Sequence, residues 1–134
     1  MAPEDWKEFV DLLIEDMSKG SRGSFYHEIS SLLIAEERWD ELLRRLEQEP
    51  YLSYIERSEQ YLKDKHPERL ATLYVSAIKM KLEQNVGRNH YKEACRYIRR
   101  IKKLDQHDIA DKLVAELKVL YPQRRALMEE LSLV

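Results

Sequence analysis

The sequence predicts an all-α protein in which about eight helices form stacked antiparallel hairpins. Apolar residues recur at spacings of three and four along most of the chain, and no alternating β-type run exceeds about four residues. The 134 residues include only three glycines and four prolines. Hydrophobic residues make up 43% and charged residues 36%, a balance typical of helix-rich globular chains and not of disorder. We expect one domain, residues 1–134, with a core that needs no disulfide or metal.

Four helices are expected in the first half of the chain. Pro3 suits the first turn of a helix that continues to about Met17, with Gly20 as its C-cap. Ser24 is a natural N-cap for a second helix, which ends near Glu36. A third helix starts near Arg38 and must end before Pro50, and the fourth covers about 51–62. Because 36–38 contains neither Gly nor Pro, one continuous helix from Ser24 to Gln48 is the alternative to the tight turn that we favour.

Four further helices are expected in the second half. Pro67 suits the first position of a fifth helix, which Gly87 closes. Asn89 is the predicted cap of the sixth helix, which extends to about Leu104, and a seventh begins at Asp105 or Gln106. Tyr121 and Pro122 end it, and a final short helix covers 125–131. Aromatic residues that open helices and small residues inside them suggest an α-solenoid, or tetratricopeptide-like, array without a strict 34-residue period.

The composition bounds the setting of the chain. Cys95 is the only cysteine, so there is no intramolecular disulfide, which favours the cytoplasm. The acidic start of the sequence does not resemble a signal peptide, and no apolar run reaches the roughly 20 residues that span a bilayer. Residues 1–67 hold 9 Lys and Arg against 16 Asp and Glu, whereas residues 68–134 hold 14 against 9. Such polarity is compatible with self-association, with an anionic partner or with a solvated surface.

The sixth helix carries the strongest charge pattern. Its apolar residues project to one side, and a basic ridge that includes Arg100 projects to the other. The ridge residues that we take as candidate partner-binding residues are Arg88, Lys92, Arg96, Arg99 and Lys103. Three interpretations are open: a solvated or internally paired face, an acidic protein surface, and nucleic acid. A peptide-binding face between hairpins would use Tyr51, Tyr54 or Tyr61 as further anchors.

Residues 66–131 resemble the C-terminal helical region of bacterial SWIM zinc-finger proteins. The similarity lies in a basic and aromatic helix followed by an R-x-A-L-x-x-E-L tail; the matching positions are Arg88, Tyr91, Ala94, Arg124 or Arg125, Leu127, Glu130 and Leu131. The Cys-x-Cys and Cys-x-His zinc motif of that family is absent from a chain with one cysteine. The resemblance implies a non-enzymatic interaction domain, either the C-terminal part of a longer protein or a stand-alone relative.

No catalytic, cofactor-binding or metal-binding constellation emerges from the spacing. The histidines His27, His66, His90 and His107 belong to no HExxH motif, and three of them fall at predicted helix starts. Cys95 lies in mid-helix about 140° from His90, which does not suit a nucleophile and its base. Neighbouring carboxylates such as Glu36 and Glu37 diverge on a helix. We therefore expect a binding protein without a cofactor, whose partner is a protein and, as the alternative, nucleic acid.

Overall fold

The computed structural model describes residues 7–12 and 26–134. Within these ranges every regular element is a helix and there is no strand, which confirms the all-α prediction. Residues 7–12 are helical and are named α1. The helices that follow are α2 (Tyr26–Ala35), α3 (Trp39–Gln48), α4 (Leu52–Leu62), α5 (Pro67–Gln84), α6 (Arg88–Lys103), α7 (His107–Leu120) and α8 (Arg125–Leu131). Connections of three or four residues join α2 to α8 in succession.

The chain divides into two compact units, Met1–Leu42 and Leu43–Val134, with the boundary inside α3. In the first unit, Val10, Ile29, Leu33 and Leu42 are buried. Arg38 is hydrogen-bonded to the carboxylate of Asp11 and, at 3.2 Å, to the carbonyl oxygen of Lys7. The predicted caps at Gly20 and Ser24 lie outside the described residues, and the single-domain interpretation stays a prediction.

The turn between α2 and α3 is tight, so the alternative of one continuous helix is wrong. Glu37 adopts a left-handed conformation with φ of 55°, and the amide of Arg38 donates to the carbonyl oxygen of Leu33 at 2.8 Å. This bond closes the last turn of α2 without a glycine. Asp105, with φ of 61°, ends α6 in the same way. Two acidic residues, Glu37 and Asp105, thus adopt the positive φ for which glycine is the usual residue.

The helix starts at Pro67 and at Arg125 agree with the sequence prediction, whereas the junction of α5 and α6 differs. Helix α5 ends at Gln84, three residues before Gly87, and the Asn85 side-chain amide donates to the carbonyl oxygen of Lys81 at 2.9 Å. That bond satisfies an acceptor that the helix end leaves open. Gly87, and not Asn89, is the N-cap of α6, since its φ of 118° turns the chain into the new helix.

The core of the second unit centres on α5 and α6. Helix α5 packs against α4, α6 and α7, and α6 packs against α7 and α8. The largest side chains that are fully buried in this unit are Leu43, Leu46, Ile55, Leu62, Leu70, Tyr74, Ile78, Leu82 and Ile98. Helix α6 is therefore held on several sides, and its outer face is a fixed surface.

Candidate partner-binding surface on helix α6

Helix α6 separates its two faces sharply. Its inner face is buried and consists of Tyr91, Ala94, Cys95, Tyr97, Ile98 and Ile101. Its outer face presents four exposed cationic residues, Lys92, Arg96, Arg99 and Lys103, which we name the α6 basic stripe. They follow one another at spacings of four, three and four, so they occupy one side of the helix over about 16 Å.

Three members of the α6 basic stripe have no ion-pair partner in the part of the chain that the structure describes. Lys92, Arg99 and Lys103 lack a carboxylate within 4.0 Å among residues 7–12 and 26–134. The fourth member, Arg96, donates to the hydroxyl of Tyr97 at 3.0 Å and lies 4.7 Å from the centroid of its ring. The stripe is therefore a surface whose charges are not neutralised by the acids of its own unit.

Arg88, the first candidate residue, has a different environment. Its guanidinium contacts Glu129 at 2.6 Å and Glu130 at 2.9 Å, both on α8. Hydrogen bonds to these two carboxylates raise the pKa of Arg88. Among the residues that the structure describes, Glu130 is the only charged residue that is buried, at 7% exposure. Arg88 therefore ties α6 to α8 in the free protein, and its role in binding a partner stays a prediction.

Arg100 points towards α4, although the sequence projection grouped it with the outward cations. Its Nε and one terminal nitrogen contact the two carboxylate oxygens of Glu59 at 3.1 and 3.2 Å, and its other terminal nitrogen lies 3.2 Å from Glu56. These carboxylates raise the pKa of Arg100. A helical projection does not show which neighbouring helix contacts a residue at the border between the two faces. The sequence did contain a hint, because Glu56 and Glu59 are three residues apart and therefore lie on the same side of α4.

Two buried tyrosines complete this network of α4, α5 and α6. Tyr74 donates to Glu59 at 2.7 Å and Tyr97 donates to Glu56 at 2.8 Å, while the two rings stack with centroids 5.6 Å apart. Burial, more than the neighbouring carboxylates, raises the pKa of Tyr74, and it raises the pKa of Tyr97 to about 12. Both phenols therefore remain protonated at neutral pH, and each keeps its hydrogen bond to a carboxylate of α4.

The residues that carry the resemblance to SWIM proteins meet at the junction of α5, α6 and α8. Of the two arginines that the resemblance offers in the tail, Arg124 donates to the carbonyl oxygen of Leu82 at 2.7 Å, and the choice between Arg124 and Arg125 stays open. The guanidinium of Arg124 also lies 4.0 Å from the ring centroid of Tyr121 and 6.0 Å from that of Tyr91. Ala94, Leu127 and Leu131 are buried, and Arg88 pairs with Glu130. These positions form a packing and ion-pair cluster.

The other predicted residues are dispersed. Tyr61 on α4 and Tyr51, which precedes α4, are exposed, and the half-buried Tyr54 packs edge to face against Tyr51 with ring centroids 5.4 Å apart. His66 precedes α5, His90 lies in the first turn of α6 and His107 begins α7, while His27 belongs to α2.

Burial raises the pKa of the free Cys95 thiol to about 11, which disfavours the reactive thiolate. Among the described residues no group of three His, Cys, Asp or Glu could hold a metal ion.

Comparison of the chain with protein-family models, with curated proteins and with solved structures gives no match. The relationship to SWIM proteins thus stays a prediction. None of the helices in the described ranges combines the length and the apolar character needed to cross a bilayer.

Proposed function

We propose that this chain is a non-enzymatic helical scaffold that binds an acidic protein segment along the α6 basic stripe. The observation that carries the proposal is the absence of intramolecular ion pairs at Lys92, Arg99 and Lys103, within the described residues, on a helix whose position is fixed by its core contacts. Like charges at spacings of three and four repel one another. Carboxylates of a partner at matching positions would remove this repulsion.

The chemistry of the surface favours a carboxylate partner. Carboxylates of α4 form ion pairs with Arg100, and carboxylates of α8 form ion pairs with Arg88. The chain itself therefore uses cation–carboxylate pairing on both flanks of the stripe. At the end of the stripe, Lys103 and Lys63 line one cleft together with the ion pair of Arg100 and Glu59, so two further lysine ammonium groups lie next to a neutralised pair. Exposed Tyr61 on α4 offers an aromatic contact of the kind that anchors protein interfaces.

The proposal includes a hairpin array of the tetratricopeptide-like kind within a SWIM-like protein of the cytoplasm. The short connections, the packing of each of α4, α5 and α6 on the next helix, and the contact of α5 with α7 support the hairpin array. Two contacts between positions that carry the resemblance support it: the ion pair of Arg88 with Glu130 and the placement of the Arg124 guanidinium 6.0 Å from the ring centroid of Tyr91. The free, buried Cys95 is compatible with a reducing compartment.

The test is a titration of the full chain with two labelled helical peptides of equal charge. One peptide carries four glutamates at spacings of four, three and four, and the other carries them scattered around the helix. We expect the spaced peptide to bind more tightly, and Lys92→Glu with Arg99→Glu to weaken its binding by about tenfold or more.

The matched control is Lys112→Glu with Lys118→Glu, which makes the same change of charge on exposed positions of α7. Equal binding of the two peptides, or an equal loss in the control, would contradict the proposal. A single-stranded oligonucleotide serves as a third probe. If it binds more tightly than either peptide, with an affinity that falls steeply with salt, the nucleic-acid alternative replaces the protein partner.

A further inference from the structure

The N-terminal segment carries acidic residues at the same spacing as the basic residues of the α6 basic stripe. Glu4, Glu8, Asp11 and Glu15 follow one another at spacings of four, three and four, as Lys92, Arg96, Arg99 and Lys103 do. The sequence predicts one helix over this segment, and its described part, α1, is helical with Glu8 and Asp11 exposed. On the helix that the sequence predicts for the acidic set, as on α6, four residues at these spacings lie within a sector of about 60° over about 16 Å.

We propose that the acidic segment which occupies the α6 basic stripe belongs to a second copy of this chain. This inference rests on the proposed function and names the partner of the same surface. Because the order four, three, four is the same in both directions, the charges match whether the two helices run parallel or antiparallel. Charge complementarity of this kind fixes register and speeds association more than it adds affinity.

The distribution of charge favours a second copy over an unrelated acidic surface. Residues 1–67 carry a net charge of −7 and residues 68–134 a net charge of +5, so two copies can bring unlike halves together. The acids of α4 and α8 at Glu56, Glu59, Glu129 and Glu130 already hold arginines. Asp11 contacts Arg38 but stays half exposed, at 50%, which leaves part of its carboxylate open to a partner.

Two properties of the association follow. Exposed ion pairs are individually weak, so the association is weak and depends on protein concentration. Opposite charges in water are also screened by salt, so raising the ionic strength dissociates the copies. The contact joins two different surfaces, α1 of one copy and α6 of another, and it therefore forms either a closed ring or an open chain of copies.

The experiment is sedimentation velocity on the full chain over a wide range of concentration at low and high salt. The stripe variant carries Lys92→Glu and Arg99→Glu, and the helix variant carries Glu4→Lys and Glu8→Lys. We expect each variant alone to associate at least about tenfold more weakly than the unmodified chain. An equimolar mixture of the two variants is expected to associate again, because the unmodified stripe of the helix variant can bind the unmodified acidic segment of the stripe variant.

The mixture separates pairing from the effects of net charge and of misfolding, since a misfolded variant would not recover binding. The control Lys112→Glu with Lys118→Glu is expected to associate as the unmodified chain does. A chain that remains monomeric at every concentration overturns the second-copy proposal, and so does a mixture that fails to associate. If the spaced glutamate peptide still binds the stripe of such a monomer, the proposed function stands without the self-association; if it does not bind, both fail.

Discussion

Gly87 has a backbone conformation that other residues avoid. Its φ of 118° with ψ of 152° lies in a region that is almost restricted to glycine, while a Cβ at this position would meet no atom within 4 Å. The requirement for glycine is therefore conformational and not steric. It arises where α5 has ended and the chain must turn at once into α6.

We predict that Gly87→Ala lowers the free energy of unfolding by about 1–3 kcal/mol. The measurement is chemical denaturation followed by circular dichroism. Val86→Ala, at a neighbouring position that is 70% exposed, is the control and should change the stability by less than about 0.5 kcal/mol. Equal stability of Gly87→Ala and the unmodified protein would show that the junction relaxes without strain.

The residue scale also shows what the sequence could and could not predict. Pro50, Pro67 and Pro122 marked helix ends and starts correctly because proline fixes its own φ and restricts the residue before it. Asn89 was predicted as a cap from its residue type, but the left-handed Gly87 took that position. The positive φ of Glu37 and of Asp105 was not predicted, because non-glycine residues adopt a negative φ at most positions.

At the scale of elements, the charges of α6 serve two purposes that a helical projection cannot separate. The projection placed the apolar face correctly, since Tyr91, Ala94, Tyr97, Ile98 and Ile101 are buried. It could not separate Arg100, which pairs with α4, from Arg99, which does not, because that difference depends on where α4 lies. Cations that neighbouring helices neutralise stabilise the fold, and those left over are available to a partner.

We predict that Glu59→Gln costs about 1–3 kcal/mol of stability, because Glu59 accepts hydrogen bonds from both Arg100 and Tyr74 in a position that is only 18% exposed. The matched control is Glu47→Gln. Glu47 pairs with Arg69 at 3.0 Å between two side chains that are about half exposed, and its loss should change stability by less than about 0.5 kcal/mol. Urea denaturation of both variants makes the comparison, and similar losses would mean that the buried network adds nothing beyond a surface pair.

At the scale of the whole molecule, the periodicity of the apolar residues predicted the helix content and the order of the helices. It did not predict the division of the chain into two compact units. Apolar spacing within a helix reports that one face is covered, but not by which part of the chain. The boundary between the units falls inside α3, a single uninterrupted helix, where no Gly, Pro or change in polarity marks it. The α6 basic stripe could be read from the sequence because it depends only on positions along one helix. The network behind it could not, because it joins three helices.

Alkaline pH should unfold the second unit through its buried weak acids. Burial raises the pKa of Cys95 from 9.0 to about 11 and that of Tyr97 from 10.0 to about 12. Below pH 9 both groups are protonated in the folded and the unfolded chain, so their contribution is fully present. Above pH 9 for Cys95, and above pH 10 for Tyr97, the unfolded chain releases protons that the folded chain retains. The free energy of unfolding therefore falls through the interval up to about pH 12.

Urea denaturation at successive pH values should show this decline, with a shallower slope above pH 10 in Tyr97→Phe than in the unmodified protein. Tyr51→Phe, which alters an exposed ring, is the control and should leave the slope unchanged. A profile that stays flat to pH 11, or an equal slope in Tyr97→Phe, would show that these buried groups do not govern the alkaline stability.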